Sequence, residues 1–279
     1  MISIIVPFYN EENHIGKCLI SLCRQKYQDK EIIAVDDGST DSSAKVAALF
    51  TKQKCRVTLI KSKHQGPAIS RNLASSKARG DILVFADADM TFAPDFLEKL
   101  TRPIRNNKVT GTYTVEEFAG NWQNPLARSW NYFAGLENKR RISGQFKNSS
   151  PVFRAILKSE FDKVAGFDSI GYTDDWTLSR KLNYRAEKAP GAVIYHDNPE
   201  NLADVYRQAS WIGKNEFICG SSFRKLYYLL VFNPLYQLIR SLFLALKFRE
   251  WRIIPLGLTY SSAVILSILG SFFNPSKIK

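Results

Sequence analysis

The chain has 279 residues, 45% hydrophobic and 23% charged, which excludes a wholly disordered protein and leaves ample material for a buried core. Its 39 basic and 26 acidic residues give a formal net charge of +13, which suits a polyanionic partner: nucleic acid, an anionic membrane or a phosphate-bearing small molecule. Four cysteines (Cys18, Cys23, Cys55, Cys219) form no CxxC pair, so they are expected to be reduced core thiols of a cytoplasmic protein.

MISIIVPFYN lacks the basic start and unbroken apolar run of a secretion signal. Ile2–Phe8 is instead expected to be a buried strand. Strands and helices then alternate: helix 11–25, strand 31–35, helix 41–52, strand 56–60, helix 67–78, strand 81–86 and a helix opening at Pro94. This alternation predicts an α/β fold, with a mainly parallel sheet and flanking helices. Ligands bind such sheets beyond the carboxyl ends of the strands. From 106 to 200 the pattern is less periodic, with strands expected at 111–117 and 191–195 and helices at 125–139 and 174–182. Residues 148–150 and 199–201 are expected to be loops.

The composition changes near residue 222. Leu226–Leu246 carries one charge, Arg240, and is interrupted by Asn233-Pro234, whereas Ile253–Phe273 carries none over 21 residues. About 20 apolar residues span a bilayer, and Arg224, Lys225, Lys247, Arg249 and Arg252 flank these segments with Trp211, Tyr227, Tyr228 and Trp251 as interfacial anchors. A membrane-associated tail is expected, the alternative being a pair of buried helices. The expected division is a catalytic domain over 1–205 and an interfacial, membrane-associated tail over 206–279.

Three acidic clusters carry candidate chemistry. Asp87-Ala88-Asp89 follows the apolar run 82–86, where two carboxylates can face a crevice and hold a hard cation with a diphosphate. Asp36-Asp37-Gly38 also follows a strand and can bind a base or ribose, or simply form a turn that caps the next helix. Asp174-Asp175 follows Thr173. It is either a capped helix start or a general base that the helix dipole keeps ionised. A lone His196 after a strand can approach a metal or be structural.

Taken in order, these pieces resemble glycosyltransferase family 2. Ile4-Ile5-Val6-Pro7-Phe8-Tyr9-Asn10-Glu11-Glu12 resembles its opening motif, and Val35-Asp36-Asp37-Gly38-Ser39-Thr40-Asp41 its second. Gly66-Pro67-Ala68-Ile69-Ser70-Arg71-Asn72, Asp87-Ala88-Asp89 and Thr173-Asp174-Asp175 resemble the motifs that follow. The resemblance covers about residues 2–200. It implies a GT-A fold, Rossmann-like, and a metal-dependent, inverting transfer of a sugar from a nucleotide-sugar. Pro7, Tyr9 and Glu11 are expected at the nucleoside, Asp37 at the base and Arg71 at the nucleotide. Asp87 is expected at the ribose or metal, Asp89 and His196 at Mn2+ or Mg2+, and Asp175, beside Asp174, as the base. A UDP-sugar is expected ahead of a GDP-sugar.

The acceptor is expected to be a hydroxyl, lipid-linked or on a glycan, at the cytoplasmic face of the cell membrane. A polyprenyl phosphate is the alternative. Arg207-Gln208-Ala209-Ser210-Trp211 lacks the second basic residue of the polymer-forming relatives, which argues against polymerisation. Two other classes compete: a phosphatase using Asp87 as nucleophile, which leaves residues 2–41 unexplained, and a non-catalytic membrane adaptor, which leaves the acidic motifs idle. Nucleic-acid binding rests on charge alone and is not expected.

Overall fold

The computed structural model describes residues 1–52, 55, 57–142, 148–171 and 173–273. Arg56, where the third strand was expected to begin, lies outside them. The strands are β1 (Ile2–Phe8), β2 (Lys30–Asp36), β3 (Val57–Lys61), β4 (Ile82–Phe85), β5 (Met90–Phe92), β6 (Gly111–Tyr113), β7 (Glu117–Ala119), β8 (Ser149–Ser150), β9 (Ala155–Leu157), β10 (Ala186–Lys188) and β11 (Ile194–His196). The helices are α1 (Ile15–Cys23), α2 (Ser43–Ala48), α3 (Pro67–Lys77), α4 (Phe96–Arg105), α5 (Pro125–Phe133), α6 (Lys158–Lys163), α7 (Thr177–Leu182), α8 (Leu202–Gly213), α9 (Glu216–Cys219), α10 (Ser222–Val231), α11 (Pro234–Phe248) and α12 (Ile253–Phe273).

Two compact units form. The first comprises Met1–Phe118, Ile142–Ser169 and Asp174–His196; the second comprises Ala119–Arg141, Ile170–Thr173 and Asp197–Lys279.

An eight-stranded sheet, ordered β3-β2-β1-β4-β9-β6-β10-β8, holds the first unit together. Its first four strands are parallel, with Ile4 opposite both Ile32 and Val84. β4 and the middle of β2, Ile32–Val35, are continuous apolar runs and β1 nearly so, because both faces are covered. Successive side chains alternate between faces. Ile4, Val6 and Ile32 join Leu19, Leu97 and Leu100 in one core cluster, while Ile5, Ile33 and Leu83 join Ala68, Phe161 and Phe167 in another. Pairing of β1 with β4 ends at Ile5 opposite Phe85, so Pro7, which lacks an N–H, sits past the stretch that needs a donor on that side. A second sheet, β5-β11-β7, has its first strand just after β4 in sequence and sets His196 opposite Met90.

Several expectations need correction. The helix expected at Pro94 begins at Phe96. The helix expected over 125–139 ends at Phe133, with Gly135 at φ +73° just beyond, the left-handed turn that stops helices. Residues 149–150 of the expected loop form β8. Cys23 and Cys55 are joined by a disulfide, while Cys18 and Cys219 are free and buried. These partners are 32 positions apart, a spacing with no sequence signature.

In the second unit α12 packs beside α8, α11 and α5. Asn233 accepts from the Leu235 and Tyr236 amides and caps α11 ahead of Pro234. The run Leu226–Leu246 is therefore broken by a bend of 44° between α10 and α11. Among the described residues, α12 alone is a single helix long and apolar enough to cross a membrane.

Candidate active site

The chain leaves β1 through Tyr9 and Asn10, and Asn10 takes φ 55°. Its amide donates to Ser39 Oγ (3.0 Å), and its Oδ1 accepts from the Thr40 amide (2.8 Å). The Glu11 amide donates to Ser43 Oγ at 2.7 Å. These bonds lock the loop after β1 to the loop after β2. Asp37 is buried in the second loop. Its carboxylate accepts from the amides of Gln65 (3.0 Å) and Gly66 (2.9 Å) and from Ser70 Oγ (3.0 Å), and lies 2.8 Å from His64 Nδ1. Asp37 thus anchors the segment that leads into α3. The His64 ring stacks on exposed Tyr9, with centroids 4.0 Å apart. Gly38 needs its φ of +80°, and a Cβ there would sit 2.8 Å from the His64 nitrogen.

Arg71, buried on α3, donates to Asp87 Oδ1 (2.8 Å) and to Asp174 Oδ1 (3.1 Å). Arg154, just before β9, donates to Asp87 Oδ2 (2.9 Å) and lies 3.8 Å from Glu117. Burial alone would raise the Asp87 pKa, but Arg154 and Arg71 outweigh it and hold the carboxyl well below the usual range. His196 bridges two carboxylates: Nδ1 lies 2.9 Å from Glu117, and Nε2 lies 2.9 Å from Asp89. Burial raises the Glu11 pKa against the pull of His14, 2.9 Å away, and the charges of Asp89 and His196 also act on it. The two loops and the acidic cluster therefore form one neighbourhood.

Asp174 and Asp175 lie on a 3-10 turn, Asp174–Trp176, and the α-helix proper begins only at Thr177. Thr173 does not cap that helix. Its hydroxyl contacts Asn215 Oδ1 at 3.5 Å, and the cap position is Trp176, without a side-chain bond. Burial raises the pKa of Asp174 against Arg71 and pushes that of Asp175 up to about 6. A dipole that favours the anion was expected here, but loss of water dominates instead.

Hydrogen bonds and ion pairs join Arg71 to Asp87 and Asp174, and His196 to Asp89, while Asp37 holds the segment that leads into α3. Arg154 and Glu117 join the cluster although no sequence motif marks them, and His64, a lone histidine in sequence, stacks on Tyr9.

Among the described residues no group of three or more His, Cys, Asp or Glu side chains could hold a metal. Asp89 and His196 nevertheless offer an oxygen and a nitrogen side by side, with Glu117 on the far imidazole nitrogen. A carboxylate behind the histidine is the usual support for a ligating imidazole. Two protein donors fit a cation that takes its remaining ligands from a diphosphate and water.

Four parallel strands with acidic clusters following β2 and β4 are the layout of a GT-A-like α/β fold. The family model "Glycosyl transferase family 2" matches residues 3–165, and the chain belongs to that family of glycosyltransferases. An uncharacterized glycosyltransferase of Haemophilus influenzae is 39% identical over 180 residues, covering 62% of this chain and 68% of that protein. Glycosyltransferase GlyG of Streptococcus pneumoniae is 29% identical over 193 residues, 64% of each chain. The matches span about two thirds of the length of these relatives. The mannosyltransferase PcManGT from Pyrobaculum calidifontis, solved with GDP-Man and Mn2+, shares the fold with a TM-score of 0.64 at 21% identity, over 96% of this chain and 86% of that one. S. aureus TarS 1-349 with UDP-GlcNAc gives a TM-score of 0.57 at 18% identity, over 76% and 65%.

Proposed function

We propose that the protein moves a sugar from a nucleotide-sugar to a hydroxyl acceptor with inversion at the anomeric carbon. Asp175 carries this reading: a carboxyl titrating at about 6 is largely ionised at neutral pH yet basic enough to accept a proton. Asp175 takes the hydroxyl proton, the acceptor oxygen bonds to the anomeric carbon from the face opposite the leaving group, and the bond to the nucleoside diphosphate breaks. Arg71 and Arg154 hold Asp87 ionised and in place. Pro7, Tyr9, Glu11 and the Asp37-anchored loop form the nucleoside side. Asp89 and His196, with Asp87 near, would hold Mn2+ or Mg2+, which supplies charge neutralisation to the departing diphosphate. A UDP-sugar is favoured over a GDP-sugar.

Residues 1–205 form the catalytic portion of this proposal and 206–279 the membrane-associated tail. That tail favours a lipid-linked acceptor. A polyprenyl phosphate, already ionised, would need no base at Asp175. Basic loops favour the cytoplasmic side, whereas the Cys23–Cys55 disulfide, uncommon in a reducing compartment, argues the other way.

The test is titration of UDP- and GDP-sugars with and without Mn2+, beside Asp89→Ala. Metal-dependent binding of one nucleotide, lost in the variant, supports the proposal. Absence of binding by folded protein under every condition sinks it and favours an adaptor.

A further inference from the structure

We infer that α10, α11 and α12 lie in the plane of an anionic bilayer, sunk into one leaflet by one face, and that α12 does not cross. This rests on the proposed membrane association and fixes its mode.

Helices α10 and α11 are inside out. On α11 the buried positions are Gln237, Ser241 and Ala245, while Ile239, Phe243 and Leu246 stand 59%, 66% and 65% exposed. On α10 the buried residue is Lys225, whose Nζ donates to the Ser271 carbonyl at 3.1 Å, while Phe223, Leu226 and Leu230 are exposed. On α12 the small residues Gly257, Ser261 and Ser271 turn inward together with Ile253, Leu256, Val264 and Ile268, while Leu266, Leu269 and Phe272 turn out, so this helix is apolar on both faces. In water the hydrophobic effect selects the opposite arrangement for α10 and α11. Small residues at helix contacts with apolar residues outside is the pattern selected by lipid. The contacts are close, since a Cβ on Gly257 would meet Ser241 Oγ at 2.1 Å and one on Gly213 would meet Ser267 Cβ at 2.8 Å.

Charge names the lipid. Between Ser222 and Phe273 there are six Lys or Arg and one acidic residue, Glu250, an excess that an anionic surface attracts.

The inner face of α12 shows why it lies flat. Although 21 residues are about 31 Å of helix, long enough to span, α8 runs beside it. Val205 clusters with Leu256, and Ala209 with Val264; Ser267 Oγ donates to the Ser210 carbonyl at 3.2 Å. Arg207, exposed and paired with Asp204, lies between those contacts. A crossing α12 would carry this ion pair to mid-bilayer, where charge is strongly disfavoured. A helix lying flat leaves α8 in water.

The experiment uses the full chain. Flotation with phosphatidylcholine vesicles, with and without phosphatidylglycerol, is compared between wild type and Phe243→Glu/Leu246→Glu, two exposed positions whose change leaves nucleotide binding intact as the folding control. We expect at least tenfold stronger binding to anionic vesicles and its loss in the double variant. In membranes of a bacterial host, Lys279→Cys and Lys77→Cys, the latter exposed on α3, should both react with an impermeant maleimide from the same side. Labelling from opposite sides means that α12 crosses and overturns the inference while membrane association stands. No flotation, with a dimer by light scattering, assigns the face to a second copy and overturns both.

Discussion

Arg154 Nη1 donates to Asp87 Oδ2 at 2.9 Å, and this bond joins the two halves of the acidic cluster. The other half of the guanidinium lies 3.8 Å from Glu117, which in turn lies 2.9 Å from His196. Removing one partner of a buried pair leaves the other's desolvation uncompensated, a loss of about 3 kcal/mol. Arg154→Met should therefore lower stability by about that much in urea unfolding and reduce kcat/KM by about 100-fold or more. Arg154→Lys keeps the charge but not the fork geometry and should recover only part of the activity. Unchanged turnover in Arg154→Met would remove the residue from the site.

Asp175 yields a prediction with opposite signs for stability and activity. Its folded pKa of about 6 exceeds the ordinary aspartate value of 3.8. Between those values the folded state binds more protons than the unfolded, so this group lowers stability as pH rises through the window. Asp175→Asn removes that cost. Above pH 6 the variant should be more stable than wild type by about 1–2 kcal/mol, discounted because the side chain keeps some contact with water. Activity should fall by about 1,000-fold or more, and the acid limb of the wild-type rate profile, centred near pH 6, should vanish. A variant that loses stability and keeps the limb would assign the base elsewhere.

The sheet was legible where it is buried on both sides. Ile2–Phe8 matches β1 end to end because a strand covered on both faces leaves a nearly unbroken apolar run. The site was legible where its carboxylates stand at the ends of such strands, as Asp37 and Asp87 do. Glu117 and Arg154 were not legible, because β7 and β9 are three residues each, too short for any period to show. His196 stood in sequence as a lone histidine that the family resemblance set near a metal; the pairing of β11 with β5 brings it to Asp89. The Asp175 environment was misjudged because sequence displays the helix dipole but not the burial that outweighs it. The tail's apolar runs were plain, but which face points outward is a property of packing alone.

His196, as a proposed donor, and Glu117, behind its imidazole, should both govern cation affinity. His196→Ala removes a proposed donor and should weaken Mn2+ binding, read by titration with the nucleotide present, by about 100-fold. Glu117→Gln keeps the shape but weakens the support behind the imidazole, a change that commonly costs about 10–100-fold. Equal Mn2+ affinity in wild type and His196→Ala would leave Asp89 without its proposed partner.

Gly38→Ala tests whether the Asp37 loop shapes the nucleoside side. The residue sits at φ +80°, where a side chain is disfavoured by about 1–2 kcal/mol, and the added Cβ would press on the His64 backbone nitrogen at 2.8 Å. Backbone cannot rotate away as a side-chain tip can, so the segment from His64 to Gly66 must move, carrying the ring that stacks on Tyr9 and loosening its bonds to Asp37. A modest fall in Tm should accompany a loss of nucleotide affinity of about tenfold or more. Because Asp89 and His196 are untouched, the Mn2+ requirement of the remaining binding should stay as in wild type. A lower Tm with unchanged nucleotide affinity would confine this loop to a structural role and move the nucleoside contacts to Pro7 and Glu11.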